Sequence, residues 1–210
     1  MKLIQKYFPD LTDLQIKQFE QLKGLYKDWN LKINVVSRKD IDELYLRHVL
    51  HSLGISKVMP FQSGSKILDV GSGIGKFCFV GALTTDGEYT GVEQRENLVK
   101  ISNKIIDQNK ISKVKFIYNN FKHINFNNYT GFYLYNPFWE NIANDKLIDN
   151  KITVSESLYK EYNKLLSDKL SKLKQGVLVA TYLMKEDDIP QCFSIKKYAF
   201  DRKLILWQKT

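Results

Sequence analysis

The chain has 210 residues, a net charge of +9, a pI of about 9.3 and a hydrophobic fraction of 43%. This length fits one domain with a small addition, and no apolar run approaches the ~18 residues that a membrane span needs. The first ten residues lack the apolar stretch of a signal peptide. Cys78 and Cys192 form no metal-ligand pattern, and we expect both to be small buried hydrophobes, Cys78 on a helix and Cys192 in a strand. These features predict a reduced, cytoplasmic protein without a metal site.

The positive charge has two explanations at this point. A basic chain suits polyanionic partners such as RNA. However, arginine, the better bidentate phosphate ligand, occurs only at residues 38, 47, 95 and 202, and nearly all of the excess is lysine. A biased genome composition would give the same excess, so charge alone leaves a nucleic-acid partner open.

The first 63 residues are predicted to form a helical appendage. Residues 12–29 carry apolar side chains at helical spacing, and Thr12 with Gln15 forms a capping box. Ser37 starts a second predicted helix that ends near Gly54. Aromatic residues on these helices are predicted to be core rather than a binding stripe.

The next segment is predicted to be a buried strand that enters a glycine-rich turn. Residues 66–70 are mostly apolar, Gly71, Gly73 and Gly75 follow at alternate positions, and a helix begins at Lys76. A strand–glycine turn–helix unit lets backbone N–H groups approach a nucleotide-like ligand. Glu93 ends the next apolar run, 89–93, where an acidic side chain is able to accept hydrogen bonds from ribose hydroxyls.

The spacing D-x-G-S-G-x-G, together with Glu93, resembles the class I S-adenosylmethionine-dependent methyltransferases over roughly residues 64 to 210. The resemblance implies S-adenosylmethionine as cofactor. It also implies that Glu93 holds the ribose, that Gln94 flanks the adenine and that Asp69 organises the loop and the cofactor's amino group. The loop residues expected at the cofactor are Gly71, Ser72, Gly73 and Gly75.

The rest of the chain alternates between strands and helices, which is typical of a doubly wound α/β domain. The predicted strands are 114–118, 132–135 and 177–182, the predicted helices are 95–109 and 154–173, and 193–198 with 204–207 form a closing hairpin. The resemblance implies a mostly parallel, seven-stranded, Rossmann-like sheet that ends with a reversed strand inserted in it. We therefore predict two parts, the appendage (1–63) and a methyltransferase domain (64–210).

Two further strand ends carry polar residues. Asn120-Phe121 resembles the motif that meets the adenine base, although Asn120 also suits an ordinary turn. Residues 136–139, Asn-Pro-Phe-Trp, resemble the [N/D]-P-P-[F/Y/W] motif of methyltransferases that act on amide or base amino groups. The resemblance gives Asn136, Pro137 and Phe138 a catalytic role and places Trp139 on the substrate. Phe138 departs from the second proline of the motif, and a simple turn remains the alternative.

A second resemblance lies in the N-terminal part. The motifs W-N-x-K-I-N from Trp29 and R-H-x-x-x-S-L from Arg47 look like the bacterial small-subunit ribosomal RNA guanine methyltransferases, also called the glucose-inhibited division protein B family. This resemblance stops after Gly73, because the residues from Gly75 onward differ from the family's pattern. It implies an RNA substrate and places Arg38, Arg47 and His48 at that substrate, whereas a histidine on such a helix is also commonly structural.

The sequence therefore predicts an S-adenosylmethionine-dependent methyltransferase that acts on RNA, with ribosomal RNA as the favoured substrate. Two alternatives remain open. One is methylation of a protein side chain or a small molecule, because the second half departs from the ribosomal RNA family. The other is a cofactor-binding module without catalysis.

Overall fold

A computed structural model describes residues 2–30, 42–49, 52–55, 63–143 and 147–210. The N-terminal part contains α1 (Lys2–Tyr7) and α2 (Asp13–Asn30), followed by a π-helical turn at Leu44–Val49 and a helical turn at residues 52–55. The capping box predicted at the start of α2 is present, because Thr12 N donates to Gln15 Oε1 (2.7 Å) and Gln15 N donates to Thr12 Oγ1 (3.3 Å).

The centre of the molecule is a seven-stranded sheet in the order β3-β2-β1-β4-β5-β7-β6. Strands β1 to β5 are parallel, and β7 pairs antiparallel with both β5 and β6. The predicted mostly parallel sheet with one reversed strand inserted near its end is confirmed. The strands are β1 (Lys66–Val70), β2 (Glu88–Glu93), β3 (Val114–Tyr118), β4 (Gly131–Tyr135), β5 (Leu178–Tyr182), β6 (Phe193–Ala199) and β7 (Leu204–Lys209).

Helices cover both faces of the sheet. The N-terminal helices, α3 (Lys76–Thr84) and α4 (Glu96–Asn109) pack on one face in one hydrophobic cluster, and α5 (Glu156–Ser171) packs with several short 3₁₀ turns on the other. Alternate residues of each strand enter the two clusters: in β1, Ile67 faces the first and Leu68 the second. The fold is therefore doubly wound, as predicted.

The predicted appendage shares its core with the sheet. Phe19 and Leu22 of α2 belong to the same buried cluster as Phe79 and Val80 of α3, and the Gln15 side-chain amide donates to the Leu83 carbonyl. The division at residue 63 stays a prediction. Much of the predicted second helix, including Ser37 at its start, lies outside the described residues.

One prediction about the cysteines was wrong. Cys192 lies in a turn immediately before β6 and is half-buried, and its carbonyl accepts a hydrogen bond from the Thr210 N–H (3.0 Å). Cys78 is buried on α3, as expected.

Candidate functional site

A cavity of about 720 Å³ opens at the carboxyl ends of the parallel strands. Ligands of open α/β sheets bind at this edge, and the volume lies within the ~300–1,000 Å³ that is typical of small-molecule sites. Its walls come from the ends of β1 to β5, the segment after β4 and Tyr162 of α5. The residues that line it include Gly71, Gly73, Glu93, Gln94, Arg95, Asn119, Asn120, Phe121, Tyr135, Asn136, Pro137, Phe138, Trp139, Glu140, Ile148, Tyr162 and Leu183.

The glycine-rich turn begins where β1 ends and is fixed to β2. Gly71 N and Ser72 N both donate to the Val92 carbonyl (3.0 and 3.1 Å). Gly71, Gly73 and Gly75 all have positive φ, which favours glycine. A Cβ on Gly75 would meet the Phe116 ring at 2.0 Å, so this position also needs glycine for packing. The turn thereby presents the bare backbone of Gly71 and Gly73 to the cavity.

Glu93 is a buried carboxylate at the tip of β2 and lines the cavity. Its Oε2 accepts from Gly73 N (3.0 Å) and its Oε1 accepts from Arg95 N (3.0 Å). Burial raises the pKa of Glu93, while these backbone N–H groups and the Arg95 guanidinium oppose that rise. Glu93 and the glycine turn therefore lie together at the cavity, and the predicted ribose contact of Glu93 stays a prediction.

Three of the predicted cofactor residues do not line this cavity. The Asp69 side chain lies on the face toward α3, where Cys78 Sγ donates to its Oδ2 (3.6 Å). The Ser72 hydroxyl is buried near Gly91 and has no hydrogen-bond partner in the described part of the chain. Gly75 precedes α3. Their direct contact with a cofactor stays a prediction, and the structure favours an indirect role through the shape of the turn.

Asn120 forms the turn that the sequence offered as one alternative and also lines the cavity, while its contact with an adenine base stays a prediction. Its Oδ1 accepts from Lys122 N (3.1 Å) and caps a short 3₁₀ turn, while its Nδ2 donates to Tyr162 Oη (2.9 Å) at the cavity wall. Phe121 is buried between Phe138 and Tyr162, with ring centroids 4.9 and 5.4 Å away. The Phe121–Phe138 contact therefore joins the predicted adenine end of the cavity to the Asn-Pro-Phe-Trp segment.

The segment Asn136-Pro137-Phe138-Trp139 forms a turn and also lines the cavity. The Asn136 carbonyl accepts from Trp139 N (3.1 Å), and Asn136 has a φ of 38°, which asparagine tolerates better than most residues. Phe138 is buried, whereas Trp139 is half exposed at the cavity wall. Pro137 lies against the glycine turn, 3.2 Å from the position of a Cβ on Gly71. Residues 136–139 therefore form the turn that was the alternative interpretation. They also line the cavity, which a substrate-binding role would require.

The substrate residues expected in the N-terminal part are less fully defined. Arg38 lies outside the described residues, and Arg47 and His48 lie on the π-helical turn without described side chains. The segment 52–55 contacts the β6–β7 turn, because a Cβ on Gly54 would meet the Phe200 ring at 2.5 Å. That turn lies beside the carboxyl end of β5, since Leu204 pairs with Tyr182. The N-terminal part thus reaches the edge of the sheet that carries the cavity.

Sequence reasoning missed a buried charge cluster beside Glu93. The Arg95 guanidinium donates to Glu140 Oε1 (2.7 Å) and Asp149 Oδ1 (2.9 Å) and lies 4.0 Å from Glu93 Oε1. Burial alone would raise the pKa of Asp149, but hydrogen bonds from Arg95 and the Lys151 N–H hold it below its ordinary value. The two partners follow Arg95 by 45 and 54 residues, so no local sequence pattern marks them. Tyr162 was missed for the same reason.

In the ranges 2–30, 42–49, 52–55, 63–143 and 147–210, no group of three His, Cys, Asp or Glu side chains is arranged to hold a metal ion. Within those same ranges, no helix has the length and apolar character that crossing a membrane requires.

The strand order of this seven-stranded sheet, with its reversed β7 between β5 and β6, is that of the class I methyltransferase fold. A family model described as a methyltransferase domain matches residues 61–194, more than half of the chain, and the chain belongs to this methyltransferase family. Membership confirms the class that the sequence predicted, the S-adenosylmethionine-dependent methyltransferases. A second model, rRNA small subunit methyltransferase G, matches residues 15–79.

Individual relatives with high sequence identity match about a third of the chain, whereas solved structures with low identity match more of it. The ribosomal RNA small subunit methyltransferases G of Christiangramia forsetii and Flavobacterium psychrophilum are 75% and 65% identical over 75 residues, which is 36% of this chain and 36% of each relative. These matches thus span about a third of the length of each curated relative.

Two solved structures share the fold: TrmN from Thermus thermophilus (TM-score 0.59, 14% identity, covering 77% of this chain and 49% of that one) and an RNA methyltransferase from Salinibacter ruber crystallised with S-adenosyl-L-homocysteine (TM-score 0.51, 16% identity, covering 77% of this chain and 88% of that one).

Proposed function

We propose that this protein transfers a methyl group from S-adenosylmethionine to an amino group of a base in RNA, with ribosomal RNA of the small subunit as the favoured substrate. One observation carries the proposal: the glycine turn with Glu93 and the Asn-Pro-Phe-Trp segment line the same cavity. The cavity therefore joins the features expected for a nucleoside cofactor to those expected for a planar amine. An RNA substrate of this kind also implies a cytoplasmic location.

The residues present fit the cofactor. The Gly73 backbone faces the cavity, and a Cβ there would meet nothing within 4 Å, so open space adjoins the turn. Glu93 is held in place by two backbone N–H groups and retains further acceptor capacity for ribose hydroxyls. Gln94, Asn120 and Phe121 would surround the adenine. S-adenosylmethionine, when bound, supplies an electrophilic methyl group.

The protein's own contribution to the reaction would be positioning. The Asn136 side chain and the Pro137 carbonyl are the groups that would accept hydrogen bonds from the target amine. Trp139 has a half-exposed aromatic ring on which the base that carries this amine would stack. Correct alignment of two reactants supplies a large part of the barrier reduction for such a transfer. Phe138, packed on Phe121 and Tyr162, would fix the segment relative to the cofactor end.

The RNA assignment rests on the N-terminal part. Residues 15–79 match a family of ribosomal RNA methyltransferases, and segment 52–55 lies beside the cavity edge through Phe200. The net charge of +9 supports a polyanionic substrate. A match confined to this part suggests that substrate docking is retained where the second half has diverged.

The test is transfer of radiolabelled methyl from S-adenosylmethionine to three acceptors: small ribosomal subunits, naked ribosomal RNA and ribosome-free cell protein. We expect label in one of the RNA-containing acceptors, in alkali-sensitive material. Label that appears only in protein would support the rival side-chain methyltransferase, and cofactor binding without label in any fraction would support a non-catalytic module.

Asn136 tests the amine-binding part of the proposal. Asn136→Gly removes the side chain but keeps access to positive φ, whereas Asn136→Ala also strains the turn. We expect both variants to reduce methyl transfer about a hundredfold, as for loss of a positioning contact, with affinity for the cofactor changed only a few-fold. Full activity of Asn136→Gly would show that Asn136 serves only the turn.

A further inference from the structure

The buried guanidinium of Arg95 links the start of α4 to a segment that lies far along the chain. Its Nη2 donates to Glu140 Oε1 (2.7 Å), and its Nε donates to Asp149 Oδ1 (2.9 Å). The Arg95 side chain is 3% exposed, while those of Glu140 and Asp149 are 15% and 18% exposed. A planar guanidinium with several fixed donors suits this two-partner arrangement, whereas a lysine ammonium on a flexible stem does not.

Each of these carboxylates also holds the backbone of the segment 147–151. Glu140 Oε1 accepts from Ile148 N (2.8 Å), and Asp149 Oδ1 accepts from Lys151 N (3.1 Å). The segment has no helix or strand hydrogen bonds of its own among the described residues. Its position against the cavity therefore depends on the two carboxylates, and both carboxylates are anchored by Arg95.

The segment contributes an apolar wall to the cavity. Ile148 lines the same cavity as Glu93, Gln94 and Arg95, yet the residue is 48% exposed. A half-exposed isoleucine beside polar strand ends is a surface that a flat apolar ring would bury favourably, at roughly 25 cal/mol per Å². The purine ring of an adenosine group has this chemistry, and Glu93 at the same end is the ribose-type acceptor.

We infer that Arg95 is a positioning residue for the cofactor: through Glu140 and Asp149 it holds Ile148 as the wall of the purine subsite. This inference rests on the proposed function. It is distinct from the role of Glu93, because Glu93 is bound by the Arg95 backbone N–H, which side-chain substitutions leave in place. The inference makes cofactor affinity depend on the geometry of the guanidinium and not on its positive charge.

The test compares binding of S-adenosyl-L-homocysteine by calorimetry in folded variants. Arg95→Lys keeps the charge but loses one of the two anchored carboxylates, and we expect affinity to fall at least tenfold. Arg202→Lys is the matched control, since Arg202 is exposed, pairs with Glu186 (3.6 Å) and lies over the Tyr198 ring, and it does not line the cavity. Its affinity is expected to match the parent protein within twofold.

A double-mutant cycle separates positioning from general stability. Ile148→Ala is expected to weaken binding about fivefold in the parent protein and by less than twofold in the Arg95→Lys background, because the wall is already displaced there. If Arg95→Lys fails to fold, Asp149→Ala removes one anchored acceptor while leaving the Arg95–Glu140 pair in place, and the same tenfold loss is expected.

Two outcomes would overturn the inference in distinguishable ways. A lower unfolding midpoint for Arg95→Lys with unchanged affinity for S-adenosyl-L-homocysteine would make the cluster purely structural and leave the proposed function standing. Absence of binding by the parent protein would overturn the proposed function together with the inference.

Discussion

The Glu93 carboxylate joins the glycine turn to the start of α4, because its two oxygens accept from Gly73 N and Arg95 N. Glu93→Gln keeps the size of the side chain but replaces one acceptor oxygen with an N–H donor. We expect weaker binding of S-adenosyl-L-homocysteine by about 1.5–3 kcal/mol, the range for hydrogen bonds to a charged group, or roughly ten- to a hundredfold. Calorimetry checks this, with Glu88→Gln at the exposed start of β2 as control. Unchanged affinity in folded Glu93→Gln would remove the ribose assignment.

Asp69 gives the folded state an unusual dependence on pH. Burial, opposed by the Cys78 hydrogen bond and supported by the nearby Glu93, raises the pKa of Asp69 from 3.8 to about 7. The folded protein therefore keeps a proton that the unfolded chain releases near pH 3.8. The resulting stabilisation is complete below that pH and is lost as pH rises to about 7, with a total on the order of 4 kcal/mol.

Asp69→Asn removes this titration and keeps the shape of the side chain. Compared with Asp69→Asn, the parent protein is expected to lose stability steadily between pH 4.5 and pH 7 and to run parallel to it above pH 8. Urea unfolding at a series of pH values measures the difference. Parallel curves throughout would mean that Asp69 is ionised in the folded protein across this whole range.

At the scale of elements, the close approach of α3 to β2 depends on Gly81. A Cβ there would meet the Tyr89 ring at 2.3 Å, and Tyr89 is fully buried. Gly81→Ala gains up to about 1 kcal/mol of helix propensity, but overpacking a close-packed interior costs about 1–3 kcal/mol, so we expect a net loss of stability. Gly24→Ala in α2 is the control, because a Cβ there meets nothing within 4 Å, and it should stabilise the protein by roughly 0.5–1 kcal/mol. Denaturant unfolding of both variants checks the opposite signs.

The elements themselves were largely predictable because hydrophobic periodicity and glycine placement are local signals. Strand β3 agrees with its predicted residues 114–118, and helix α4 begins one residue after the predicted 95. Cys192 was misplaced because the turn before β6 is held by Thr210, 18 residues away. The same limit applies to the site: the residues at strand ends were foreseeable, whereas Arg95 acquires its partners through folding that no spacing rule encodes.

The direction of the Asp69 side chain shows a related limit. The sequence places Asp69 at the end of β1, but strand alternation turns it toward Cys78 and α3, away from the cavity that Val70 lines. Counting alternation from the buried Leu68 and Val70 would have assigned Asp69 to the opposite face. Proximity along the chain to a functional turn is therefore weaker evidence for a contact than the register of the strand.

At the scale of the whole molecule, the chain combines two parts with different relatives. Residues 15–79 match a ribosomal RNA methyltransferase family, whereas residues 61–194 match a general methyltransferase domain. The two parts share one hydrophobic cluster, in which Phe19 and Leu22 of α2 pack with residues of α3. A shared core gives the N-terminal part a fixed position relative to the cavity, so RNA bound by the first part would be presented to the second.

This arrangement predicts how RNA binding responds to salt and charge. If lysines and arginines contact phosphates, each neutralised phosphate releases counterions, and a log–log slope of roughly −3 to −4 corresponds to about four to six contacts on single-stranded RNA. Neutralising Arg38, Lys39 and Arg47 together to glutamine should weaken RNA binding and make the slope less steep by about 2, while binding of S-adenosyl-L-homocysteine stays unchanged. Fluorescence anisotropy with a labelled RNA at several salt concentrations measures both quantities.

The matched control removes the same charge elsewhere: Lys164, Lys172 and Lys174, all exposed on or just after α5, become glutamine. Because the ribosomal RNA methyltransferase model matches residues 15–79, we expect the control to retain most of the affinity and slope. Equal losses in both triple variants would mean that RNA responds to net charge and not to a defined surface. Salt-insensitive association in the parent protein would go further, since it would leave the lysine excess to genome composition and shift the substrate toward protein or a small molecule.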